Sequence, residues 1–449
     1  MSGRRWARVT VLALGLLGGI GSGAASAPSG WPALPKDVAL GPGHLDIGLE
    51  ERLRYEYTDD FNVRGYGTGE GDHLLLVRTR LSLDYRLPEN AHVFVQLQDS
   101  RFFLSDLEDQ PRARSNSLYN ACDVKQAYAE WQTILGTPVG LKIGRQSISY
   151  ADNRIFGPGE WGNVGRYWWD AVKLTLDWER VQVDLLYGQR LMTEQDSWDD
   201  DHFPFRMSGI YARWKGLPMA LETFWLQRFS THGDLVGEDG RTGHEKRHTV
   251  GVVWDGIWRE RWDYAGTAAA QFGSYADDEI RAFGVNLRGG YTFQAPWSPR
   301  LGVEYTWASG DSDPADGVRE TFDNVYGAVD SFYGRMNFVA WMNLEDYQLT
   351  ASVKPTKTMK LWVDYHLFRL AESGDAWYWS SGGVARRDPT GGAGEAVGQE
   401  IDLMFQWKVH RNLDFFCGYC YFVPGDFIRR TPGPDYGSDW FFSQVTMSF

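Results

Sequence analysis

The 449-residue sequence predicts an all-β protein: a transmembrane antiparallel β-barrel of about eighteen strands, with short periplasmic turns and long extracellular loops. Three observations carry that prediction. Segments with apolar residues at every second position recur from Leu45 to the end of the chain. The last of them ends on an aromatic, Phe449, preceded by hydrophobic residues at alternate positions. Beyond the N-terminal leader, no apolar run approaches the ~20 residues that a membrane-crossing helix needs, so the chain must cross with strands if it crosses at all.

The elements follow in order. Arg4 and Arg5 precede an apolar run from Val9 to Ile20 and a small-residue stretch, Gly23 to Ala27, the order of a cleaved secretory signal. We place the signal at residues 1–27, with cleavage between Ala25 and Pro28, a short periplasmic segment at 28–44, and one barrel at 45–449. Good strands show one apolar face: Leu45, Ile47 and Leu49; Leu75, Val77, Leu81 and Leu83; Val181, Val183 and Leu185; Leu301, Val303 and Tyr305; Ile401, Leu403 and Phe405. Short turns at 86–90, 133–138, 178–180, 215–218, 294–299, 354–358 and 408–412 alternate with longer polar or acidic stretches at 58–72, 104–121, 192–205, 230–246, 309–343, 371–397 and 424–437. An even strand count puts both ends on the periplasmic side, and the strand ending at Phe449 is expected to pair with the one starting near Leu45, which sets Arg52 and Arg54 on the same wall as Gln444.

A mean hydropathy of -0.41 would suit a soluble protein, but in a barrel only alternate residues face lipid. The 15% aromatic content, with 21 Trp, exceeds what a core needs and suits girdles at two membrane interfaces. A net charge of -14 argues against a nucleic-acid partner. Three cysteines make no disulfide framework; Cys417 and Cys420, three apart in a strand, point to opposite faces, so no redox or metal pair is expected. No cofactor is implied.

The faces opposite the apolar ones are charged. They carry Glu50, Arg52, Arg54 and Glu56, then Arg78, Arg80 and Asp84, and later Lys142, Lys173, Asp184, Arg288, Glu304, Glu400 and Asp402. Guanidinium forks match carboxylates, so clustered arginines at a constriction favour an anionic solute. An equally open reading has Arg52, Arg54, Arg78 and Arg80 pairing with Glu50, Asp84 and Glu130 to knit the wall together.

The densest segment runs Gly144-Arg145-Gln146, then Arg154-Ile155-Phe156-Gly157-Pro158-Gly159-Glu160-Trp161-Gly162-Asn163-Val164-Gly165-Arg166, then Trp169-Asp170-Ala171-Val172-Lys173-Leu174. It resembles the alginate-export family of outer-membrane porins. Gln96 to Arg101, Gln126-Ala127-Tyr128, Ala308 to Asp311, Gly398 to Leu403 and Pro424 to Phe427 extend the resemblance over most of the chain. It implies a monomeric eighteen-strand barrel whose arginine-lined constriction passes a linear polyuronate, with Arg145, Arg154 and Arg166 as candidates and Asp170 as a partner. Strict alternation from Leu141 and Ile143 would aim Arg145 at lipid unless a bulge resets the register or the strand has ended above the hydrocarbon. Trp161, Trp168 and Trp169 are read as an interfacial girdle, with sugar stacking as the alternative.

The expected function is passive, anion-selective passage of an anionic polysaccharide such as alginate, or its oligomers. A porin for small carboxylated or other anionic solutes is the alternative. Outer-membrane lipid and lipopolysaccharide are the expected surroundings, and direction would come from gradients or periplasmic export partners. A lipid hydrolase is the remaining reading, but His73, His202, His232, His244 and His248 lie near no nucleophile motif. The acidic stretches 196–201 and 309–316 could bind calcium, though neither matches an EF-hand loop.

Overall fold

The structure, a computed structural model, describes residues 34–59, 71–105, 117–195, 197–199, 204–330 and 332–449. The expected signal, His202 and three of the six residues of the 196–201 calcium candidate lie outside them. Eighteen long strands follow one another: β1 (Gly43–Asp59), β2 (Asp72–Leu87), β3 (Ala91–Phe103), β4 (Asn120–Trp131), β5 (Val139–Gln146), β6 (Trp169–Asp177), β7 (Val181–Arg190), β8 (Phe205–Trp214) and β9 (Ala220–Ser230). The second half comprises β10 (Glu245–Trp258), β11 (Trp262–Tyr275), β12 (Asp278–Thr292), β13 (Arg300–Ala308), β14 (Leu344–Thr356), β15 (Met359–Arg369), β16 (Ala396–His410), β17 (Leu413–Pro424) and β18 (Ser438–Ser448). Each is antiparallel to the next, and β18 returns to β1 with Gln444 directly opposite Arg54. Closure leaves no strand edge, the condition for a sheet in hydrocarbon, where no water can satisfy a free backbone group. The ladder continues to the last residue: the Phe449 N–H donates to Leu49 O at 2.9 Å.

Alternation decides the faces. Leu81 and Leu83 on β2 are exposed outward, whereas Arg78 and Arg80, on the opposite face of the same strand, are buried in the lumen. Exposed Trp131, Trp178, Trp214 and Trp258 mark the turn end of even-numbered strands and Trp262 the turn end of β11, where interfacial aromatics belong. Short connections also include one on the loop side: only residues 276 and 277 join β11 to β12.

The stretch 309–343 departs from the solvated, acidic loop expected of it, and the segment after β5 folds inward with it. Residues 147–168 and 309–343 turn into the barrel and supply much of its core: Ile155, Phe156, Tyr167, Phe322, Tyr326, Val329, Tyr333, Met336, Phe338 and Trp341 are all buried there. The apolar and aromatic density of 309–343 would be costly on a loop in water, and burial against the inner wall removes that cost. The two segments meet through a bridge between Phe156 and Tyr326, with Gly157 N–H donating to Tyr326 O at 3.0 Å and Ala328 N–H to Asn153 O at 2.8 Å. At this crossing a Cβ on Gly327 would sit 2.0 Å from Arg154 O. Gly327→Ala is therefore expected to push the two segments apart at about 1–3 kcal/mol, read as faster protease cleavage within 309–343 in the folded protein.

Candidate functional site: an arginine cradle and the cleft beside it

An irregular segment inside a barrel must find donors for carbonyls that no ladder serves. The lumen face of the first strands provides them. Arg52 donates to the carbonyls of Glu160 and Trp161 at 3.2 Å each and of Gly162 at 2.9 Å. Arg54 donates to Trp161 O at 2.8 Å, Arg78 to Glu160 O at 3.1 Å, Gln98 to Val164 O at 2.8 Å and Ser100 to Asn163 O at 3.0 Å. Lys125 completes the set. It is the unpaired residue where the β3–β4 register shifts, and its ammonium reaches Val164 O and lies 3.0 Å from the Trp168 ring centroid. Glu160 closes the cradle by pairing with Arg80 and, at 3.4 Å, with Arg78, while Arg78 also holds Glu50 at 2.9 Å.

Arg52, Arg78 and Arg80 are thus occupied by the in-folded loop. Of the wall partners expected for these arginines, Glu50 is one, but Asp84 and Glu130 are not: Asp84 lies 3.3 Å from His92, and Glu130 lies 3.1 Å from His92 and 3.8 Å from Lys142. Lys142 and Lys173 face each other on β5 and β6, with the Lys142 ammonium 3.6 Å from the Tyr128 ring centroid. Arg154, fully buried, pairs with Glu304 at 2.7 Å and with Asp152 at 3.5 Å, under the rings of Phe332 and Tyr333. Arg288 reaches the same Asp152 at 2.9 Å. Burial alone would raise the Asp152 carboxyl, but Arg154 and Arg288 hold it below the usual carboxylate range. Glu400 and Asp402 accept the N–H groups of Met336 (2.8 Å) and Arg335 (3.1 Å), so they fasten the second in-folded loop.

Arg145 keeps the β5 register set by Ile143, and its side chain is largely covered, with the guanidinium 3.9 Å from the buried Asp123 carboxylate. It lies opposite Asp170 on β6, with Nε 3.1 Å from its carboxylate, and donates to Asp199 O at 3.1 Å. Gly144, at φ +123, occupies backbone space that L side chains rarely adopt. The three tryptophans do not form a girdle. Trp168 and Trp169 are buried inside, Trp169 against Phe156 and Tyr326, and Trp161 stands in the lumen edge-on to Phe442 at 5.0 Å, with the Arg54 guanidinium 4.4 Å from its centroid.

Beside the cradle a cleft of about 460 Å³ opens between β1, β18 and the in-folded loops. Its charged lining is Arg54, Glu56, Arg166, Asp330 and Arg335, and its aromatic lining is Trp161, Trp379 and Trp440. Arg166 has its guanidinium 5.2 Å from the Tyr167 ring, and Arg335 lies 5.9 Å from both Trp362 and Phe416; neither guanidinium makes a hydrogen bond or ion pair among the described residues. Arg335, Asp330 and Trp379 escaped the sequence reading because their loops look solvated by composition. The missed signal is the aromatic density around them. Among the described residues, no group of three His, Cys, Asp or Glu side chains could hold a metal ion.

A closed eighteen-strand barrel with a polar lumen and loops folded into it defines an outer-membrane porin. The model of the alginate export family matches residues 44–441, and the chain belongs to that family. Its fold is shared with solved porins at low identity. These include Pseudomonas aeruginosa OpdO (12% identity, 90% of this chain and 97% of that one, TM-score 0.57) and the P. aeruginosa outer membrane protein OprD (10%, 93% and 97%, 0.57). Acinetobacter baumannii OccAB2 is similar too (10%, 90% and 98%, 0.60). Comparison with curated protein sequences finds no match.

Proposed function

We infer that this porin passes anionic saccharides, alginate or its oligomers in the family's sense, by passive and anion-selective diffusion through the arginine-lined lumen. The observation that carries the reading is the pair of unpaired guanidinium groups, Arg166 and Arg335, in a cleft also lined by three tryptophans. A uronate sugar offers a carboxylate for the first and a C–H face for the second. Membership of the alginate export family supports the substrate class. The cleft's modest volume of about 460 Å³ favours the second reading, a porin for small carboxylated solutes.

The clean test is Arg166→Glu with Arg335→Glu, because neither side chain holds the fold together by an ion pair. In planar bilayers under a salt gradient, the double variant is expected to lose anion preference, and an unchanged reversal potential would overturn the proposal. Current block separates the two readings: a polyuronate acting at low concentration favours the polymer, and block by monomeric carboxylates alone favours the small-solute porin. Reversing Arg78, Arg80 and Arg288 is a poorer probe. Glutamates there would face Glu50, Glu160 and Asp152 and would expel the loop rather than report on selectivity.

A further inference from the structure

Half-way round the barrel from β1 and β18, a second cleft of about 550 Å³ lies against β7 to β11 and shares no lining residue with the first. Between the two stands Tyr167, with the Arg166 guanidinium 5.2 Å from its ring centroid and that of Arg190 4.6 Å away. Tyr167 is in edge contact with Tyr326, itself bridged to Phe156, so the crossing of the in-folded loops forms a septum.

The second cleft is the more cationic. Arg190, Arg228, Arg247, Arg319 and Arg387 line it against Glu245 and Asp323, an excess of three positive charges, whereas Arg54, Arg166 and Arg335 exceed Glu56 and Asp330 by one in the first. Some of these arginines are spent: Arg228 pairs with Glu245 at 2.8 Å and Asp323 at 2.6 Å, and Arg247 is held by Glu245 at 2.8 Å and Gln271 at 2.8 Å. Arg319 is not. Its guanidinium lies 4.0 Å from the Tyr275 ring centroid, approaches Asp278 only to 3.8 Å and makes no hydrogen bond among the described residues. Arg387 turns one nitrogen to Asp375 at 2.8 Å, yet 38% of its side chain remains open. Free guanidinium donors beside tyrosine rings provide for a carboxylate what aromatic surface provides for a sugar ring.

We propose that this second cleft is a separate binding subsite for the carboxylate of a uronate sugar, with Arg319 and Arg387 as its donors, so that the septum divides the lumen into two anion-binding lanes. The proposal rests on the saccharide-porin reading for its ligand class. It is tested by calorimetric titration of the detergent-solubilised full chain with a tri-uronate. Two sites per chain are expected. Arg319→Gln with Arg387→Gln should weaken one of them at least about tenfold, the loss for a charge-assisted hydrogen bond, and Arg166→Gln with Arg335→Gln should weaken the other. Arg319→Gln alone, which removes no hydrogen bond of the fold, should show a smaller loss at the same site. A single site, or two sites indifferent to Arg319 and Arg387, would overturn the proposal. Liposome swelling with the same trimer keeps the two ideas apart: binding at both clefts without passage sinks the transport reading and leaves this subsite standing.

Discussion

Replacing Arg154 with methionine is expected to release the in-folded loops from the wall at a cost of about 3–5 kcal/mol, the usual penalty for stripping one partner from a buried ion pair. Arg154 is fully buried and stands where both loops meet β13: it pairs with Glu304 at 2.7 Å and Asp152 at 3.5 Å, and its guanidinium is 4.2 Å from the Phe332 ring centroid. Methionine keeps much of the volume but leaves two carboxylates without their shared cation. Arg288 can still serve Asp152 at 2.9 Å, so the greater part of the loss falls on Glu304. Adding Glu304→Gln to Arg154→Met should therefore recover part of the stability. Protease cleavage within 147–168, which samples local opening of the native state, is the measurement. Equal cleavage rates in the single and double variants would show that lost packing, not stranded charge, sets the penalty.

The second large effect is expected at Glu160, the carboxylate that ties the first loop to the arginine cradle. Burial would raise this carboxyl, but Arg80, Lys125 and Arg78 together bring it below its ordinary value of 4.5. A depressed carboxyl contributes stability that is fully present above the ordinary value and is lost as pH falls through the lowered one. Acidification through that window should loosen the 147–168 loop and raise single-channel conductance. Glu160→Gln should show the looser state at neutral pH and lose the acid dependence. Because 39% of the Glu160 side chain is exposed, its loss should cost less than that of Arg154. A variant with wild-type conductance and an unaltered acid response would refute the assignment of the latch to Glu160.

Both effects arise from one arrangement. The barrel wall needs no arginines to stand, since its backbone is satisfied by its own ladder; the loop inside it does, since its carbonyls between residues 160 and 164 have no ladder. The inner arginines of β1 and β2 therefore hold the in-folded loop, and on the reading proposed above the cations that meet a solute include Arg166 and Arg335 on one side of the septum and Arg319 and Arg387 on the other. On that proposal anion binding depends on loop position, and Arg154 and Glu160 act as positioning residues for these guanidinium groups.

Period-two patterning by itself determined the strands, their inward and outward faces, the even count and the closure of β18 on β1, because in hydrocarbon each strand must present apolar residues outward and leave no edge. What periodicity could not reach was the path of the long connections. Whether residues 147–168 and 309–343 lie in water or inside the barrel depends on contacts between positions far apart in sequence, such as Arg154 with Glu304 and Phe156 with Tyr326. Only the tertiary structure decided which arginines are consumed as structural donors and which stay available, because a guanidinium's free donors depend on what has folded against it, and that is not a property of its place in a strand.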